Sequence, residues 1–144
     1  MEQVGASPGL IPLGTTVSFA KTIGETDIYL FAGISGDFSP NHVNAEYMAG
    51  TRYGRIVAHG VLTIALMSTC STKIVEQADL GRTVVSYGYD RVRFVKPVFV
   101  GDTITVVYEI VAEDLDKAQT RASVMATNQH GEVVAVATHI LQYL

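Results

Sequence analysis

The stretch Ser35-Gly36-Asp37-Phe38-Ser39-Pro40-Asn41-His42 sets a carboxylate and an imidazole close together, and a histidine–glycine pair, His59-Gly60, follows downstream. Pro40 has no amide donor and biases Ser39 toward extended backbone, so Asp37 and His42 are expected to flank a turn rather than sit in ordinary helix. Gly36 lets the main chain bend or approach a neighbour closely. Gly60 opens a long apolar segment, where the free N–H groups of a helix N-terminus point outward. An acid, a base and such a donor are the parts needed to add water across a polarised double bond. Taken alone, each piece also has a plainer fit. Asp37 and His42 suit a solvated turn, Gly60 suits a mere bend, and His59 suits simple packing.

The elements that must position these groups follow from composition and period. A chain of 144 residues with 48% hydrophobic and 17% charged residues is one domain, residues 1–144, with enough apolar surface for a core and an extensive subunit interface. The formal charge of -4 excludes the basic footprint of a nonspecific nucleic-acid binder. The single cysteine, Cys70, falls in an apolar run and is expected in the core. Residues 1–9 lack the pattern of a secretory signal, and no apolar run approaches membrane-spanning length, so a cytoplasmic protein is expected.

Residues 1–14 read as an irregular lead-in. Residues 15–23 are rich in β-branched side chains and read as a strand. A short helix carrying Ile28, Leu30, Phe31 and Ile34, with Thr26 as its cap, delivers the chain to Asp37. Residues 45–49 form another, with Asn44 as cap. From Val61 to about Gln77 there is neither proline nor glycine, and the first half is apolar nearly all round, the mark of an enclosed helix. Beyond Gly81 the period becomes two. One long strand bent near Gly88 is expected, then Ile104, Val106, Tyr108 and Ile110 on one strand face, and Thr120, Ala122, Val124 and Ala126 on the next. The acidic tip 113–117 reads as a solvated hairpin turn. The last strand is apolar on both faces. A central helix wrapped by a curved antiparallel sheet, an α+β hotdog, satisfies both patterns.

Three blocks then carry a resemblance. Gly36-Asp37-Phe38-Ser39-Pro40-Asn41-His42, Ile56-Val57-Ala58-His59-Gly60-Val61-Leu62 and Val92-Arg93-Phe94-Val95-Lys96-Pro97-Val98-Phe99-Val100-Gly101-Asp102 resemble the MaoC-like, R-specific enoyl-CoA hydratases, in register from about residue 15 to the final strand. The resemblance implies a hotdog fold, a homodimer or higher homo-oligomer, and syn hydration of trans-2-enoyl-CoA to (R)-3-hydroxyacyl-CoA. It implies that Asp37 and His42 are the acid/base pair and that the Gly60 N–H receives the thioester oxygen. Ser68, on the central helix, matches a family serine near the pair. Ser39 stands where the family commonly has asparagine, and Asn41 where an apolar residue is frequent, which alters the groups available to hold water. Arg52, Arg55, Lys73, Arg82, Arg91, Arg93 and Lys96 are candidates for the coenzyme A phosphates, with Arg93 and Lys96 inside a family-like block. Leu62, Leu66, Met67 and Tyr47 are candidates for the acyl-tunnel wall. No cofactor beyond the coenzyme A thioester is expected. No metal is expected either, since His130 and His139 have no ligand spacing with a partner. A hotdog thioesterase and a catalytically silent acyl-CoA-binding subunit are the competing readings. The former ordinarily carries an acid on the central helix, and residues 61–75 have none.

Overall fold

In the computed structural model, which describes residues 9–144, one antiparallel sheet curls around one long helix. The lead-in is therefore seen only from residue 9, and the signal-peptide expectation falls outside the described residues. Strand β1 (Thr16–Thr22) precedes three short helices, α1 (Glu25–Ser35), α2 (Pro40–Val43) and α3 (Ala45–Ala49). The long helix α4 (Gly60–Ala78) follows, and then β2 (Val84–Phe94), β3 (Thr103–Asp114), β4 (Gln119–Thr127) and β5 (Val133–Tyr143). The sheet order is β1-β3-β4-β5-β2, every pairing antiparallel, so β1 and β2 are its edges.

The strand periodicity places the core where alternation requires it. Ile104, Val106, Tyr108 and Ile110 of β3 and Ala122, Val124 and Ala126 of β4 are fully or almost fully buried against Met67, Cys70 and Ile74 of α4. Strand β2 is one long strand whose register shifts between Ser86 and Gly88 and again between Asp90 and Arg93, which bends it around the helix.

Three local expectations are corrected. Helix α1 is capped at Gly24, not Thr26, because the Asp27 carboxylate accepts the Gly24 N–H at 2.8 Å. The segment after Ser39 is a single helical turn, not a plain turn. Proline is welcome at a first helical position, where its missing N–H has no partner to lose. Helix α4 is not enclosed all round, for Val61 is 58% exposed and the stripe through Ala65, Ser68 and Thr72 is open to solvent. The apolar first half is thus only partly covered by the described residues. No helix among the described residues is long and apolar enough to cross a membrane.

Candidate active site

The loop bearing Asp37 and His42 is held against the strap that leads into α4. The Val57 N–H donates to the Asn41 carbonyl at 2.9 Å, and His42 Nδ1 lies 2.6 Å from the Val57 carbonyl. On its far side, the strap donates the Ala58 N–H to the Val98 carbonyl at 2.8 Å, beside a bridge between Val57 and Phe99. The 99–102 turn is closed in its own right, with the Phe99 N–H on Asp102 Oδ2 at 2.9 Å and Gln129 Nε2 on Asp102 Oδ1 at 2.8 Å. Gly101, at φ +92°, takes the left-handed conformation that this turn needs. The glycine-aspartate pair of the third motif is therefore architecture supporting the strap.

These bonds decide a tautomer. A carbonyl oxygen can only accept, so His42 carries a proton on Nδ1, and in the neutral ring Nε2 keeps its lone pair. That Nε2 lies 3.9 Å from Asp37 Oδ2, too far for a direct hydrogen bond yet close enough for one small oxygen to reach both. The other carboxylate oxygen, Oδ1, accepts the Ser39 N–H at 3.2 Å. The His42 side chain is 14% exposed and that of Asp37 53%.

His42 and Gly60 face the same cavity, about 300 Å³ in volume and also lined by Asn41, Tyr53, Thr63 and Phe94. Gly60 is the first residue of α4, and a Cβ at that position would lie 2.9 Å from three atoms of the Phe94 ring. The glycine is thus required by a close approach, not by its backbone angle. Its N–H belongs to the unpaired first turn, where the helix dipole favours developing negative charge.

His59 is packed, as its sequence context suggested, and it also meets Asp37. This residue is 2% exposed, its Nε2 lies 3.0 Å from the Asp37 carbonyl, and its ring stacks on His42 with centroids 3.8 Å apart. Its place directly before Gly60 was the available signal, but its contact with Asp37 depends on how the strap folds back. Asp37, His42 and His59 bring donor atoms within 4.8 Å of one another. The two rings are nearly parallel, at 26°, so their in-plane lone pairs do not converge on one metal position.

The remaining expected residues divide. Ser39 supports Asp37, but through its main-chain N–H, and its hydroxyl makes no capping bond. Ser68 does not join the pair. It lines a separate cleft between α4 and β2 with Ser71, Ser86 and Leu141. Arg93 points back along its own strand to the Val92 carbonyl and lines neither the His42 cavity nor that cleft. Lys96 does line the His42 cavity, and it is ion-paired with Glu132. Arg55 packs its guanidinium 3.8 Å over the Phe99 ring in an adjoining hollow that shares Lys96 and Pro97 with that cavity. Of the proposed tunnel residues, Leu66 and Met67 are core, and Tyr47 is exposed.

A curled antiparallel sheet around one long helix, with a carboxylate and two imidazoles gathered near that helix's N-terminus, defines a hotdog-fold protein. The chain belongs to the MaoC-like domain family, whose model matches residues 9–134. It is 40% identical over 92 residues to an (R)-specific enoyl-CoA hydratase of Rhodospirillum rubrum, covering 64% of this chain and 60% of that relative. It is 30% identical over 127 residues to 3-hydroxyacyl-thioester dehydratase Z of Mycobacterium tuberculosis, covering 85% of this chain and 83% of the relative. Among solved structures, an unliganded R-hydratase of Pseudomonas aeruginosa superposes with a TM-score of 0.78 at 31% identity, covering 92% of this chain and 81% of that one.

Proposed function

We propose that the protein is a hydro-lyase that adds water to trans-2-enoyl-CoA and yields (R)-3-hydroxyacyl-CoA. The observation that carries this reading is the placement of His42, whose Nδ1 is held by the Val57 carbonyl while its Nε2 faces the Asp37 carboxylate and its ring shares a cavity with the first residue of α4. The names of the relatives support the substrate class. The thioester oxygen lies on the Gly60 N–H. His42 Nε2 takes one proton from water while the water oxygen bonds to C3, and the C2=C3 pair moves onto the thioester as an enolate. Asp37 holds the second hydrogen of that water and stabilises the imidazolium. The imidazolium then returns its proton to C2 on the face from which it was taken, so addition is syn. One water is consumed and every group is restored. Lys96, on the wall of the cavity, and Arg55, in the hollow that adjoins it, are better placed than Arg93 to meet the coenzyme A phosphates.

The same reading makes the working form a homodimer in the cytoplasm. Strand β2 is an unpaired edge with Val85 and Tyr87 exposed, and it runs beside the open stripe of α4 that carries Val61. A thioesterase is disfavoured because the one acid of α4, Glu76, lines the α4–β2 cleft rather than the His42 cavity. The deciding assay is loss of enone absorbance from crotonyl-CoA, with the wild type active. Asp37→Ala and His42→Ala should each be slowed by about 10²–10⁴. Undiminished turnover by either variant contradicts the assignment.

A further inference from the structure

We infer that His59 is a positioning residue, a neutral imidazole that locks the main chain of Asp37 to the start of α4 and presents its ring face to His42. The inference rests on the hydratase reading for its kinetic consequence, while its structural content stands apart from it.

The Asp37 carbonyl can only accept, so the 3.0 Å contact requires a proton on His59 Nε2. In the neutral ring, Nδ1 is then a bare acceptor, and it is a buried nitrogen without a hydrogen-bond partner among the described residues. An apolar ring of the same size would fill this space without an orphaned nitrogen. What an imidazole adds is the N–H that holds Asp37. Phe31 packs on His59 at 4.8 Å and His42 at 3.8 Å, so the ring is fixed by both neighbours. The consequence is a rigid link: the residue immediately before the oxyanion donor grips the residue that carries the acid. When His42 takes a proton during turnover, its imidazolium meets the electron-rich face of a neutral ring, an attractive contact. Relative placement of base, acid and oxyanion donor matters in the transition state more than in the ground state, so loss of the link should act on kcat.

Two substitutions separate the hydrogen bond from the stack. His59→Phe keeps a ring against His42 and loses the donor. His59→Gln loses the ring and keeps an N–H at about the reach of Nε2. With crotonyl-CoA, His59→Phe is expected to lower kcat by about 30-fold or more with KM changed less than about threefold, while His59→Gln recovers kcat to within about fivefold of wild type. Full activity of His59→Phe, or equal losses in both variants that track their melting temperatures, would reduce His59 to a packing residue and overturn the inference. The wild-type protein supplies an independent readout. Imidazole nitrogen NMR should show His59 protonated at Nε2 and bare at Nδ1, and the opposite tautomer overturns the inference. That result holds whether or not the variants fold or crotonyl-CoA is turned over, so failure of the hydratase reading stays distinguishable from failure of this one.

Discussion

Replacing Gly60 by alanine adds one methyl group at the most crowded point of the site. The new Cβ would stand 2.9 Å from Cδ1, Cε1 and Cζ of Phe94, about 0.5 Å inside ordinary contact. Gly60 has no left-handed backbone angle to lose, since it is absent from the positive-φ positions. The stability cost is therefore that of displacing a ring, and Phe94 is 53% exposed and free to yield on its outer side. Overpacking in a closed core costs about 1–3 kcal/mol, and the lower end applies to a half-exposed ring. The catalytic cost is separate, because Phe94 and Gly60, the proposed oxyanion donor, line the same cavity. Shifting either by half an ångström should lower kcat/KM by about 10–100-fold. Crotonyl-CoA hydration and thermal melting of Gly60→Ala, Phe94→Ala and the double variant test this as a cycle. Relief of the clash requires the double variant to be more active than Gly60→Ala alone. Full activity of Gly60→Ala, or a double variant that is merely the sum of the singles, refutes the reasoning.

Other outcomes follow from the same geometry. If Asp37 and His42 act on one water, the double alanine variant should hydrate crotonyl-CoA little more slowly than the worse single variant; multiplicative losses in steady-state kinetics would separate their roles. Burial lowers the His139 pKa from 6.5 to about 4, with its ring nitrogens bonded to Ser86 and Tyr108 at 2.7 Å. A histidine depressed in the folded state binds its proton more readily when unfolded. Its contribution is thus complete above pH 6.5 and lost as pH falls toward 4, on the order of 3 kcal/mol as an upper bound. Denaturant titrations from pH 7 to 4.5 should show that loss, and His139→Gln should flatten it. Val61→Glu, on the open face of α4, should convert a dimer to monomer in sedimentation equilibrium while leaving the secondary-structure spectrum unchanged.

The sequence announced the strands more plainly than the contacts around the site. Period-two runs put Ile104, Val106, Tyr108 and Ile110 on one face because a strand's buried face repeats every second residue, and all four are buried. Cys70 is buried as its apolar context implied. Asn44 does cap α3, its side chain accepting the Tyr47 N–H at 2.9 Å. Long-range contacts were less legible. Ser68 shares a helix with Gly60, yet eight residues of helix carry it about 12 Å along the axis, into a different cleft. The contact of His59 with Asp37 was hidden for the converse reason: a loop distant in sequence folds back to meet it. Val61 and Ala65 are exposed although the first half of α4 is apolar nearly all round, so that pattern alone does not mark a helix enclosed on every side by its own chain.

The central claim is that one imidazole, one carboxylate and one helix-terminal N–H add water to a single face of an enoyl thioester. The direct measurement is the reaction of purified protein with trans-2-enoyl-CoA, resolving the 3-hydroxyacyl product by chiral analysis and titrating free thiol in parallel. The account predicts loss of the enone, formation of the (R)-3-hydroxyacyl-CoA and no thiol release. An unchanged enone, an (S) product or stoichiometric thiol release would contradict it.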